Sequence, residues 1–170
     1  MSPIEFRAPW ASRLKTGTSI AIGIFVLSFL VGIFAPALPY PLRIVLTGLP
    51  VLFLLISVPF SIRGYSLSQD GIVIKRFAWD VQLPLATLES VDGKADMLDQ
   101  SYRLAANRGL FVYSGWFWSS EFKLFRAYVS DPSRAVVLKY PNRTIVISPH
   151  DPQQFIMRAR TLMKTQAHRV

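Results

Sequence analysis

Residues 16–62 read TGTSIAIGIFVLSFLVGIFAPALPYPLRIVLTGLPVLFLLISVPFSI, and a single formal charge, Arg43, interrupts them. The 27 residues from Thr16 to Leu42 and the 19 from Ile44 to Ile62 contain no Asp, Glu, Lys or Arg. About 20 mostly apolar residues suffice to cross the hydrocarbon of a bilayer. Two helices that are apolar all round would otherwise have to be covered on every face, and the rest of a 170-residue chain is too short to do so. The reading is therefore a transmembrane helix hairpin over 16–62, with spans at about 19–35 and 44–62. Pro36, Pro39 and Pro41 break the helix between them and make a short connection.

Basic residues set the orientation. Arg7, Arg13 and Lys15 precede the first span, Arg63, Lys75 and Arg76 follow the second, and only Arg43 lies between. The positive-inside bias puts both termini in the cytoplasm, with a cytoplasmic N-terminal segment at 1–15, a cytoplasmic domain at 63–170 and the hairpin in a bacterial inner membrane. Neither span carries an ionisable residue, so ion pathways and proton relays have no foothold there. Ser19 with Gly23, and Ser28 with Gly32, are small residues four apart that would let the helices approach closely.

Beyond Gly64 the texture changes to alternation and turn signals. YSLS, Asp70-Gly71 and IVIKRF predict a β-hairpin, because Asp-Gly supplies the positive φ angles of its turn. Val81, Leu83 and Leu85 fall on one face of a following strand. Residues 92–108 are polar and mixed, which predicts a long loop or a short helix. GLFVYSG and EFKLFRAYVS predict strands, and AVVLKY and RTIVIS flank Pro141-Asn142 as a second hairpin. About seven strands result. Phe155, Ile156, Ala159, Leu162 and Met163 share one face of a final helix, with Arg158, Arg160, Thr161 and Lys164 opposite.

The segments YSLSQDGIVIKRF with LPLATLESV, GWFWSSEFKLFRAYVSDPSRAVVLKY and RTIVISPHDPQQF, in that order, resemble the bacterial pleckstrin-homology (PH) domain family, in particular small membrane proteins with two spans before the domain. The resemblance covers roughly Gly64 to Met163. It implies a mainly-β PH-like fold, a seven-stranded, strongly bent antiparallel sheet or partly open barrel capped by a C-terminal α-helix. Many eukaryotic members bind phosphoinositides through basic residues around their first hairpin. Here Ser68-Gln69-Asp70-Gly71 carries no basic residue, so that site is not expected.

Chemistry has few carriers. The absence of cysteine removes disulfides, thiolate metal sites and cysteine nucleophiles, and only His150 and His168 titrate near neutrality. Ser148, His150 and Asp151 stand close in sequence, but a triad needs side chains that converge in space. Ser148, Pro149 and Asp151 are instead expected to cap the last helix, with Asp151 before Pro152 as the alternative one turn later. Asp92, Asp96 and Asp99 lack the spacing of a calcium loop and are expected to be solvated. No cofactor, metal site or small-molecule substrate is implied.

Two surfaces are candidates for binding. Trp116, Phe117 and Trp118 are three consecutive large aromatics, and any that are exposed would mark a contact with a partner or with the bilayer. Arg63, Lys75, Arg76, Arg158 and Lys164 would meet a membrane surface, where anionic lipid attracts basic residues. The net charge of +9 is ascribed to that surface and not to nucleic acid. The expectation is a non-catalytic, membrane-anchored interaction or scaffold module, partnered by the bilayer and by another membrane protein or itself. A sensor of anionic headgroups and a subunit of a membrane enzyme are the alternatives.

Overall fold

The computed structural model describes residues 3–95, 97–98, 101–110 and 112–167, with backbone only at 103, 105–110 and 167. Helix α1 spans Ser12–Phe34 and helix α2 spans Tyr40–Ser57, extended by a 3-10 turn at Val58–Phe60. Both are long and apolar enough to cross a membrane, and only 11% of each apolar window is buried. That degree of exposure is opposite to a soluble core helix, which hides its apolar surface. The first helix starts seven residues before the expected span, so that its first turn carries Arg13 and Lys15 ahead of the apolar stretch.

The hairpin closes through small residues and one charge. Ser28 donates to the Leu46 carbonyl at 3.0 Å, and a methyl group added at Gly32 would come within 2.6 Å of Thr47 Cγ2. Gly23, by contrast, has open space around it. Arg43, the lone charge of the connection, folds back so that its guanidinium donates to the carbonyls of Gly32 and Ile33, each at 3.0 Å. Those carbonyls belong to the last turn of α1, where no intrahelical donor remains.

Ten strands follow the described backbone, in two open sheets, so the expectation of seven is corrected. The first sheet is ordered β1-β2-β3-β4, from Ile4–Arg7, Ile62–Leu67, Gly71–Arg76 and Val81–Pro84. The second is β5-β9-β10-β8-β7-β6, from Ser90–Gly93, Val136–Tyr140, Arg143–Ile147, Lys123–Val129, Val112–Ser119 and Tyr102–Leu110. Helix α3 spans Pro152–Ala167. Three differences from the sequence reading have physical reasons. Part of the polar stretch 92–108 is strand, because β6 supplies the backbone partner that β7 needs along its whole length. β10 pairs parallel to β8, across the second hairpin, where an all-antiparallel sheet was expected. And β1, from before the first apolar helix, pairs with β2 in the register Phe6↔Tyr65. Gly64 permits this, since a side chain there would stand 2.8 Å from the Phe6 carbonyl oxygen.

Two apolar clusters result. One lies between the sheets under α3, where Phe6, Tyr65, Ile74, Tyr128, Leu138 and Phe155 meet. Phe6 sits edge-on to Phe155 at 5.2 Å, and the expected apolar face of α3 is the one buried. The other covers the opposite face of the second sheet, where Leu14 of α1 packs with Leu98, Phe117, Phe125 and Val146.

Candidate functional site

Strand alternation decides which candidate residues can act together. Ile72, Ile74 and Arg76 point into the space between the sheets, and Val73 and Lys75 point out. Lys75 therefore faces solvent beside Arg7 and Arg63, in an outer cleft of about 520 Å³ that Glu5, Asp80 and part of Arg76 also line, and it pairs with Glu5. The guanidinium of Arg76 lies on the other side. Of the five basic residues read from the sequence as one membrane-facing set, Arg63, Lys75 and Arg76 border this cleft, and the guanidinium of Arg76 turns inward from it.

On the inner side Arg76 is 4% exposed. It donates to Ser114 Oγ at 2.9 Å, and its guanidinium carbon lies 4.6 Å from the Tyr128 ring, 5.4 Å from Trp79 and 5.6 Å from Phe60. Cation–π attraction grows as water is excluded, so three rings hold the charge where a carboxylate would be usual. Arg126 stacks on the same Tyr128 ring at 5.3 Å and on Trp116 at 5.4 Å. Burial lowers the Arg76 pKa, with Tyr128 opposing and Arg126 adding to the shift. Asp80 accepts the main-chain N–H of Arg76 at 3.3 Å, and Arg76 Nε is buried without a hydrogen-bond partner among the described residues. Arg126, Ser114, Trp79 and Phe60 were not singled out from sequence. Alternation in KLFRAYV places Leu124, Arg126 and Tyr128 together, but only the pairing register brings them to Arg76.

The aromatic run resolves by the same parity. Phe117 is fully buried and stacks on Phe125 at 5.8 Å, in the second cluster, so it is a core residue and not a surface contact. Trp116 and Trp118 stand opposite Arg126 and Leu124 on the inner face, beyond the cover of the first sheet, and are 40% and 37% exposed. Tyr102, 72% exposed, lies opposite Trp118 with ring centres 6.1 Å apart. With Leu124 they form an apolar shelf edged by Lys123 and Arg126.

The segment Ser148–Asp151 does two separate jobs. Asp151 Oδ1 accepts the Gln154 N–H at 2.9 Å, and Pro152 occupies the first helical position, so the cap is Asp151 and not Ser148-Pro149. Pro149 precedes the helix. Ser148 is fully buried and its Oγ accepts the N–H groups of Ser130 and Asp131 at 2.9 and 3.2 Å. Tyr65 donates its hydroxyl to the Tyr128 carbonyl at 2.8 Å and accepts the Ser148 N–H at 3.1 Å, which ties the two sheets together. His150 meets Arg134 through Nδ1 at 3.0 Å and does not approach Ser148 Oγ.

The remaining candidates are dispersed. Asp92 pairs with Arg160, which also donates to the Val91 carbonyl. Asp96, Asp99 and His168 lie outside the described residues, and no cluster of metal-ligating side chains occurs among those described. Arg158 and Lys164 are both exposed on α3, well away along the chain from Arg63 and Lys75.

Comparison with curated proteins and with solved structures finds no match. A family model described as the bacterial PH domain matches residues 63–163, more than half of the chain. The matched segment, in a domain of two open sheets with a C-terminal helix, places this protein in the bacterial PH domain family.

Proposed function

We propose that the chain is a non-catalytic, membrane-anchored interaction module of the bacterial inner membrane, its hairpin inserted and its PH-like domain held on the cytoplasmic side with both termini. The domain offers the Tyr102–Trp116–Trp118–Leu124 shelf to a protein at the membrane surface, either another membrane protein or a second copy. The observation that carries this reading is the exposure of four large apolar side chains on adjacent strands of one sheet face. Contiguous patches of this kind on a folded surface mark sites of contact.

Two measurements test it. A photoreactive phenylalanine analogue in place of Trp118 should give a discrete adduct in intact membranes, and the same group at exposed Lys139 should not. Identical adducts at both positions, or none at Trp118, would remove the shelf from consideration. Topology is tested with single cysteines. With an impermeant maleimide on intact cells, Ala37→Cys should react and Ser133→Cys should not; the reverse pattern defeats the orientation.

A second reading has its own observation. Arg7, Arg63 and Lys75 line one cleft three residues beyond the end of the second apolar helix, where anionic headgroups would lie at about 1 kcal/mol of attraction per basic residue. Binding of the full chain's domain to anionic vesicles that weakens steeply with salt would favour it.

A further inference from the structure

The two open sheets end in four edge strands, β1, β4, β5 and β6. An exposed edge is a row of main-chain donors and acceptors ready to pair with another chain. Three of the four are blunted. β1 is four residues long, and its Arg7 carbonyl already accepts the His150 N–H at 2.9 Å. β4 is also four residues long and ends on Pro84, which has no N–H to offer. On β5 the Arg160 guanidinium donates to the Val91 carbonyl at 2.8 and 3.2 Å and pairs with Asp92.

β6 differs from these. At nine residues it is the longest strand, and among the described residues no strand pairs with the side turned away from β7. Register shifts at Leu104 and next to Gly109 bound a regular run over residues 105–108. Tyr102 and Leu104, at the start of the strand, are exposed beside Trp116 and Trp118, so the edge and the apolar shelf are continuous. Helix α1 also runs close to β6, and its buried Leu14 belongs to the cluster on the sheet face away from the shelf.

Charge selects the occupant. No Asp or Glu occurs from residue 100 to residue 120, and Glu121, next in the chain, is paired with Lys94. Lys123 and Arg126 border the shelf, each over a tryptophan ring, and β6 itself contains Arg103 and Arg108. Antiparallel pairing of β6 with a second copy would bring like charges onto facing strands, in a chain of net charge +9. An acidic strand meets opposite charge at the same place.

We propose that the edge of β6 takes up an extended, acidic segment of another protein as an added strand. Main-chain pairing runs along residues 105–108, alternate apolar side chains of the segment lie on the Tyr102–Trp116–Trp118–Leu124 shelf, and its carboxylates meet Lys123 and Arg126. In strand addition, backbone hydrogen bonds supply affinity and alternate side chains supply specificity. The inference rests on the shelf being a partner surface and adds how the partner is held.

The test uses full-length protein in a neutral detergent and fluorescence anisotropy of labelled eight-residue peptides. One alternates Glu with Val, one alternates Lys with Val, and two are isomers of the acidic peptide N-methylated at either its Glu or its Val residues. Saturable binding of the acidic peptide is expected, and none of the Lys peptide. One methylated isomer should bind at least about tenfold more weakly than the other, because each blocks a different edge of the added strand. Trp118→Ala and Arg126→Gln, their folding verified by unliganded Tm, should each weaken the acidic peptide. Equal binding of the two isomers that Trp118→Ala still weakens overturns strand addition and leaves the shelf as a partner surface. No saturable binding of the acidic peptide, or equal binding of the Lys peptide, also overturns the proposal, while the photocrosslink at Trp118 decides the shelf separately. A peptide-free dimer in light scattering that Trp118→Ala abolishes would assign the surface to a second copy instead.

Discussion

Lys75 and Arg76 are neighbours in β3 and occupy opposite worlds: Lys75 pairs with Glu5 at the solvent face, and Arg76 stacks inside on Tyr128 and donates to Ser114. An exposed ion pair contributes about 0–1 kcal/mol, whereas truncating Arg76 removes three ring contacts and a buried hydrogen bond. Urea unfolding should therefore find Lys75→Ala close to wild type and Arg76→Ala destabilised by about 2 kcal/mol or more. Equal losses in the two variants would contradict the assignment of faces.

Ser148 and Asp151 should differ in the opposite sense from a shared capping role. Asp151→Ala removes one N-cap bond, worth about 1 kcal/mol. Ser148→Ala strands the buried N–H of Ser130 and the half-buried N–H of Asp131, at about 2–3 kcal/mol in all. Thermal unfolding of the two variants side by side measures the difference.

Tyr65 gives the protein an alkaline limit. Burial pushes its pKa up to about 12, against smaller opposing effects of its hydrogen bonds to Ser148 and Ser130. The folded pKa is raised, so the unfolded chain releases this proton first. The associated stability is complete below pH 10, the unfolded value, and is lost as pH climbs to about 12, by about 2–3 kcal/mol. Tyr140, also raised to about 12 by burial, acts in the same window. Tyr65→Phe should flatten the decline of unfolding free energy between pH 10 and 12, measured by circular dichroism; an unchanged slope would show that Tyr65 does not set it.

Excising the matched domain at Arg63 leaves out β1. The edge of β2 then loses its partner, and Phe6, 6% exposed and packed on Phe155, leaves a hole of the kind that costs about 3–5 kcal/mol when an aromatic is deleted. A fragment of residues 63–167 should be markedly less stable than one in which residues 3–9 are rejoined through a flexible linker. Equal urea midpoints would show β1 to be dispensable.

Within the helix hairpin, Gly32 and Gly23 should separate cleanly. Gly32→Val meets Thr47 and the Arg43 carbonyl, an overpacking that costs about 1–3 kcal/mol, and Gly23→Val meets nothing within 4 Å. Disulfide trapping of Phe25→Cys with Phe53→Cys, whose rings lie 5.5 Å apart, should slow in the first background only.

Much of this protein was legible from its residues because the signals are local. Uncharged length shows the two apolar helices, Asp70-Gly71 and Pro141-Asn142 mark the hairpins although neither Asp70 nor Gly71 takes the positive φ expected of it, and a 3.6-residue period shows the buried face of α3. Alternation alone also predicts that some of Trp116, Phe117 and Trp118 must be exposed. What the chain could not disclose are relations between segments far apart in sequence. The polar stretch of β6 carries no strand signal of its own and is extended because β7 needs its backbone. β1 belongs to a sheet whose other strands begin more than fifty residues later. Ser148 looks like a cap until Ser130 and Tyr65 arrive beside it, and Arg76 looks like a partner of Lys75 until register sets it against Tyr128, Ser114 and Arg126. Side-chain direction follows from period, which is local; the identity of the opposing residue follows from register and packing, which only the folded chain decides.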